Sequence, residues 1–287
     1  MNIYEDIAKR TNGEIYIGVV GPVRSGKSTF VKKFMDFVVI PNIKDDYDKE
    51  RTKDELPQSS SGKTIMTTEP KFIPNEAVNV SIGNASMKVR LIDCVGYLVD
   101  GAIGGYENDE VRMVNTPWSS EPMEFEKAAE FGTKKVICDH STIGILVTTD
   151  GTIGEIERKN YEKSEERAVN ELKNCKKPFV IVLNSQHPDS KEAQALALEL
   201  EEKYNAPVAL VSCTELTNED FEGIVKLLLE QFNIKEITFN LPKYISSLPN
   251  NHWLKENIYS SIKSSLHSVS KIDDIKKRLL ISLLLKL

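Results

Sequence analysis

Gly21-Pro22-Val23-Arg24-Ser25-Gly26-Lys27-Ser28-Thr29 has the residue types and spacing to hold a phosphate chain. The stretch fits G-x-x-x-x-G-K-[S/T], a loop whose backbone N–H groups point inward at phosphate oxygens. Gly21 and Gly26 permit the turn, which residues bearing a Cβ resist. A helix starting near Lys27 adds about half a positive charge at its N-terminus. In this reading Lys27 reaches the β- and γ-phosphates, the Ser28 hydroxyl binds Mg²⁺, and Arg24, Ser25 and Thr29 complete the cradle. Further along, Asp93-Cys94-Val95-Gly96 is a D-x-x-G tetrapeptide, with a carboxylate to face the metal and a glycine N–H to meet a γ-phosphate. Between the two motifs, Thr64, Thr67 and Thr68 carry hydroxyls able to close on the metal or on an attacking water.

These residues need a scaffold, and the hydrophobic pattern supplies one. The apolar run Ile15–Val20 precedes the glycine loop, and a helix-like segment, Thr29–Phe37, follows it. Val78–Ile82, Lys88–Ile92, Ser141–Thr149, Phe179–Leu183 and Pro207–Val211 read as further strands. Glu157–Asn174, Ser190–Tyr204 and Phe221–Phe232 read as helices. Strands alternating with helices imply a mostly parallel sheet joined by right-handed crossovers, an α/β fold of GTPase-like P-loop NTPase type. Met1–Gly13 reads as a short lead-in helix, Lys44–Glu55 as a charged stretch, and Tyr97–Lys135 as one long, glycine- and proline-bearing loop. The alternation stops near Leu241-Pro242, and Asn250–Leu287 reads as one or two helices, a short C-terminal extension. The expected domains are therefore 1–240, the NTPase unit, and 241–287, the start of a second, apparently truncated region.

In a strict GTPase the fourth motif, N-K-x-D, ends a later strand, and its aspartate reads guanine. Here the place holds Asn184-Ser185-Gln186-His187, so the lysine is replaced by serine and the aspartate by histidine. A site built to hydrogen-bond a group can reject an analogue lacking it by roughly 10⁴ or more. Without that carboxylate the pattern favours ATP or weak base selectivity, although Asp189 lies two residues on. Ser212-Cys213-Thr214 falls where such proteins place a loop behind the base.

The chain has 37 basic and 43 acidic residues, net charge −6, which gives no electrostatic reason to expect nucleic acid. Its four cysteines, Cys94, Cys138, Cys175 and Cys213, are far apart in sequence and read as reduced core thiols, neither disulfides nor zinc ligands. No secretory signal and no run of about 18 apolar residues is seen, so a cytoplasmic protein without a transmembrane segment is expected. The end of the chain, Lys276–Leu287, is basic and then apolar, and is expected to pack on a core or to mark a truncated domain, with binding to a membrane surface as the alternative.

Several blocks carry a more specific likeness. They are 18–30, Asp54-Glu55-Leu56-Pro57-Gln58-Ser59, Gly62–Phe72, Asp93–Tyr97, Asn115-Thr116-Pro117-Trp118, His140–Gly144, Thr148–Gly154 and Asn251-His252-Trp253-Leu254. Together they resemble the stage IV sporulation protein A family, the coat morphogenetic ATPases of endospore-forming bacteria, over about residues 1–260. The resemblance implies an ATPase that has lost guanine selection and uses ATP with Mg²⁺ to self-assemble into filaments, the basement layer of the spore coat on the forespore surface. It puts the P-loop lysine at Lys27, the metal-associated aspartate at Asp93 and γ-phosphate-sensing threonines at Thr67 and Thr68. Gly21, Arg24, Ser25, Gly26, Lys27, Ser28, Thr29, Gly96 and Asn184 would bind the nucleotide, with Ser28 and Asp93 on the metal. The implied partners are further copies of the chain, other coat proteins and a small amphipathic forespore-membrane-associated protein, in the mother-cell cytoplasm. A GTPase switch and a nucleotide-binding structural module without hydrolysis are the alternatives.

Overall fold

Six apolar runs become one sheet. The computed structural model describes residues 14–57, 70–82, 85–102, 105–107, 110–116, 119–234, 236–267 and 269–275. In chain order the elements are β1 (Glu14–Val20), α1 (Lys27–Phe34), α2 (Asp46–Asp54), β2 (Lys71–Ile82), β3 (Ala85–Asp93), β4 (Tyr106–Glu107), β5 (Glu110–Val111), β6 (Met113–Thr116), β7 (Ser119–Glu124) and α3 (Phe125–Lys135). They continue with β8 (Ile143–Thr149), α4 (Arg158–Asn174), β9 (Phe179–Asn184), α5 (Lys191–Tyr204), β10 (Val208–Val211), α6 (Asn218–Glu230), α7 (Lys243–Ser246) and α8 (Trp253–Leu266). The sheet order is β10-β9-β8-β1-β3-β2, parallel throughout except for β2, which returns antiparallel along β3. This is the α/β P-loop NTPase architecture, with a short helical extension after it.

Burial explains the strand sequences. Every residue of β8 and of β9 is buried, as expected of central parallel strands covered on both faces, and both read as unbroken apolar runs before their polar ends. One core cluster joins Val20, Ile92, Leu146, Ala168, Leu172, Ile181 and Leu200, linking the strands to α4 and α5. On α1, Phe30 and Phe34 meet Phe221 with ring centroids 5.8 and 5.5 Å away.

Three expectations change. The charged stretch after Lys44 holds α2, which Asp45 caps by accepting the Asp48 N–H at 3.0 Å. The expected loop Tyr97–Lys135 contains two small hairpins and α3, whose face Phe125, Ala128 and Ala129 is buried against Val23, Val95 and Tyr161. Most of its glycines and both prolines fall before Phe125, and with Gly132 inside the helix they mask its period. Cys138 and Cys175 are not reduced thiols but are joined as a disulfide, because the fold brings together residues distant in sequence. The lead-in helix over Met1–Gly13, and Thr64, Thr67 and Thr68, lie outside the described residues.

The chain divides into two compact units, Met1–Leu228 and Leu229–Leu287. In the second, the buried Lys255 on α8 donates its Nζ to the carbonyls of Ser246 (3.2 Å) and Leu248 (2.8 Å) and to Asn250 Oδ1 (3.0 Å). The ammonium thereby satisfies carbonyls left over at the end of α7.

Candidate nucleotide site

β1 delivers the glycine loop at its C-terminal end, and α1 begins at Lys27. Gly21 and Gly26 have φ values of +132° and +99°, and Arg24 between them also takes a left-handed φ of +62°. Gly26 has a second reason to be glycine, since a Cβ there would run into the Asn184 side-chain amide. The D-x-x-G segment leaves β3 alongside β1 and is hydrogen-bonded to the loop. Tyr97 N–H donates to Gly21 O (3.1 Å) and Val23 N–H to Tyr97 O (2.8 Å). Gly96 (φ +93°) would put a Cβ 2.6 Å from Lys27 Nζ and into the Gly21 carbonyl. The close approach of the two motifs therefore needs this glycine.

Lys27 is buried, and its ammonium donates to Pro22 O at 2.5 Å. Burial holds its pKa below the ordinary lysine range, against the opposing pull of Cys94 and Asp93. Asp93, also buried, accepts from the Ser28 hydroxyl through Oδ2 at 3.1 Å, while its Oδ1 is buried without a hydrogen-bond partner. Burial pushes the Asp93 carboxyl up to about 6, with Lys27 and Ser28 pulling the other way. A hydroxyl, a carboxylate oxygen without a partner and a nearby ammonium, at the mouth of a helix, form a donor set suited to Mg²⁺ and phosphate oxygens. Ser28 and Asp93 would hold the ion.

Asn184 ends β9 and bridges three segments. Its Nδ2 donates to Ser25 O (3.1 Å), and its Oδ1 accepts the Cys213 N–H (2.9 Å) from the loop after β10. Ser185 is fully buried, and its hydroxyl accepts the His187 N–H at 2.9 Å. Gln186 donates its N–H to Thr152 Oγ1 (2.9 Å), which ties this loop to the one after β8. His187 and Asp189 are both exposed. The structure thus gathers Gly21, Arg24, Ser25, Gly26, Lys27, Ser28, Asp93, Gly96 and Asn184 at the C-terminal ends of β1, β3 and β9. Thr29 lies in the first turn of α1, and Thr67 and Thr68 lie outside the described residues.

Two supports escaped the sequence. Thr133 on α3 accepts the Gly96 N–H through Oγ1 at 3.2 Å, steadying the D-x-x-G turn. A buried network braces the loop after β8. Glu165 accepts from Arg158 Nη1 (2.6 Å) and Nη2 (2.9 Å), from Tyr204 Oη (2.9 Å) and from Thr148 Oγ1 (2.5 Å), while Arg158 Nη1 also reaches Thr149 O (3.2 Å). In the sequence Glu165 is one acid among several on a charged helix, with nothing local to mark it.

Comparison with known proteins gives the family. Residues 1–233 match the family model "Stage IV sporulation protein A, ATPase domain", and residues 234–282 match that family's middle domain. The stage IV sporulation protein A of Clostridioides difficile is 56% identical over 276 residues, covering 96% of this chain and 56% of that protein. The Bacillus subtilis protein of that name is 48% identical over 278 residues, with the same coverage of each chain. This chain therefore spans little more than half the length of these relatives. Among solved structures, a GTP-binding protein from Sulfolobus solfataricus in complex with GDP is similar at 17% identity and TM-score 0.40, covering 79% of this chain and 56% of that one. No helix among the described residues is long and apolar enough to cross a membrane. With both family models matched in sequence order across nearly its whole length, the chain belongs to the stage IV sporulation protein A family.

Proposed function

We propose that the chain binds ATP with Mg²⁺ at the Gly21–Thr29 cradle and hydrolyses it, and that hydrolysis drives self-assembly into filaments of the spore coat's basement layer on the forespore surface. The observation that carries this reading is the buried, unpartnered Oδ1 of Asp93 beside the Ser28 hydroxyl, below a loop where Gly26 and Gly96 admit no Cβ. When bound, Mg²⁺ would neutralise charge on the β- and γ-phosphates. Lys27 would exchange Pro22 O for phosphate oxygens, Arg24 would lie along the phosphate chain, and Asn184 would hold the cradle against the base side. Thr67 and Thr68 would sense the γ-phosphate. No side chain described at the site is placed as a general base, so the chain's contribution is positioning and charge.

The nucleotide domain is proposed to span 1–240, with 241–287 beginning a second region. Self, other coat proteins and a small amphipathic forespore-membrane-associated protein are the proposed partners, in the mother-cell cytoplasm. Base choice supports ATP over GTP, since His187 stands where a guanine-reading carboxylate would and Ser185 is buried rather than laid along a base.

Phosphate release measured with ATP and GTP in parallel, beside pelleting of polymer, tests the reading. The expected result is release from ATP, ATP-dependent pelleting, and loss of nucleotide binding in Lys27→Ala. Full affinity in that variant would overturn the site. A strong preference for GTP would point to a GTPase switch, and binding without hydrolysis to a structural module.

A further inference from the structure

The chain divides its four cysteines into two kinds. Cys94 and Cys213 are buried, and burial pushes their thiols up to about 11 and about 12. Cys138 and Cys175 are only partly buried, 37 residues apart, and bonded to each other with Cα atoms 5.4 Å apart. That spacing lies within the ordinary range for a disulfide. Packing produces it. Gly144 on β8 has no Cβ, and one there would sit 2.5 Å from Leu172 Cδ2, so α4 lies directly on the strand. Cys138, in the π-helical turn before β8, and Cys175, just past the end of α4, are thereby brought side by side.

We propose that Cys138 and Cys175 form a thiol–disulfide site at which a low-molecular-weight disulfide reversibly locks β8 to α4. One cysteine thiolate attacks the small disulfide, forming a mixed disulfide and releasing one small thiol. The second cysteine attacks the protein sulfur of that mixed disulfide and releases the other small thiol. Two protein thiols are oxidised, one small disulfide is reduced to two thiols, and the two protons leave on them. A dithiol reverses the step.

The far ends of the same two elements are already tied, because Arg158 at the start of α4 reaches Thr149 O at the end of β8. Oxidation therefore closes the β8–α4 unit at both ends, and the loop after β8, which supports Gln186, leaves from the end that Arg158 ties. Little rearrangement is needed, since Lys177 holds the two segments together independently. Its Nζ donates to Ser141 O (2.7 Å) and its N–H to Leu172 O (3.0 Å). The lock lies outside the phosphate cradle and does not depend on the nucleotide reading.

The Glu171 carboxylate lies within 4.8 Å of both sulfurs, so metal binding by the reduced pair is the competing chemistry. The test equilibrates the whole chain in oxidised and reduced glutathione, maps peptides without reduction, and compares melting temperatures. The expected result is a Cys138–Cys175 linked peptide that dithiothreitol removes. The oxidised chain should melt roughly 10 °C higher than the reduced one, as expected for a closed loop of this length. Cys138→Ser and Cys175→Ser should melt with the reduced chain in both buffers. Alkylation of both cysteines after oxidising treatment, with no linked peptide, overturns the proposal. So does stoichiometric Zn²⁺ uptake by the reduced chain that Glu171→Gln abolishes. The peptide map needs no variant.

Discussion

Asn184, at the end of β9, donates its side-chain N–H to the carbonyl of Ser25, 159 residues earlier in the chain, while its oxygen takes the Cys213 N–H. One amide thus fixes the glycine loop, the altered fourth motif and the loop after β10 relative to one another. The same amide fills the space that a side chain at position 26 would need.

Asn184→Ala removes both bonds and leaves Ser25 O and Cys213 N–H unpaired. At about 1 kcal/mol for each bond, the loss is about 2 kcal/mol, or roughly thirtyfold in nucleotide affinity if it falls wholly on binding. Isothermal titration with ATP reads it. An unchanged Kd would mean that the loop is held elsewhere.

Gly96→Ala should be more damaging than its size suggests. Its φ is +93°, and the added methyl meets the Gly21 carbonyl and, at 2.6 Å, Lys27 Nζ. Strain of roughly 1–3 kcal/mol is expected, with phosphate release falling further than stability because the lysine is displaced. Chemical denaturation and phosphate release on one preparation separate the two effects.

Glu165→Gln leaves the Arg158 guanidinium facing a neutral amide in a region where Glu165 itself is fully buried. Breaking a buried pair from one side costs about 3 kcal/mol or more. The urea midpoint should fall accordingly. Tyr204→Phe, which removes one donor and no charge, should cost about 1 kcal/mol.

The buried thiols set an alkaline limit. Burial raises Cys94 to about 11 and Cys213 to about 12 from an ordinary 9.0, so the folded state holds these protons more tightly than the unfolded one. Their neutral burial is fully favourable below pH 9 and loses its advantage as pH rises through 11 to 12. At pH 8 iodoacetamide should leave both unmodified in the native chain and label both in urea. Native labelling at the unfolded rate would show that the segments around them open.

His187→Asp is the single change expected to move base preference. Position 187 is exposed and its N–H is already held by Ser185, so a carboxylate fits there without repacking. A bidentate contact to guanine is worth on the order of 1–3 kcal/mol, by analogy with base-edge readout. Competition binding should show the GTP/ATP affinity ratio rising roughly tenfold. Ser185→Lys would add nothing, because that side chain is enclosed and an ammonium there would be buried.

Local sequence was enough for the elements whose chemistry is local. Gly21–Thr29 announced the cradle because a tight turn, a lysine and a hydroxyl sit within one short stretch, and β8 and β9 announced themselves as unbroken apolar runs. Asp93-Cys94-Val95-Gly96 could be placed because it ends such a strand. The tertiary structure alone decided what depends on distance across the fold. Glu165 looked like one acid among many on a charged helix, until packing enclosed it with Arg158, Tyr204 and Thr148. The α3 helix was hidden in a stretch rich in turn residues, and it forms because Phe125, Ala128 and Ala129 find an apolar face to cover. Cys138 and Cys175 gave no local sign of pairing. Their meeting follows from a strand, a crossover and the missing Cβ of Gly144, and no spacing rule along the chain encodes that geometry.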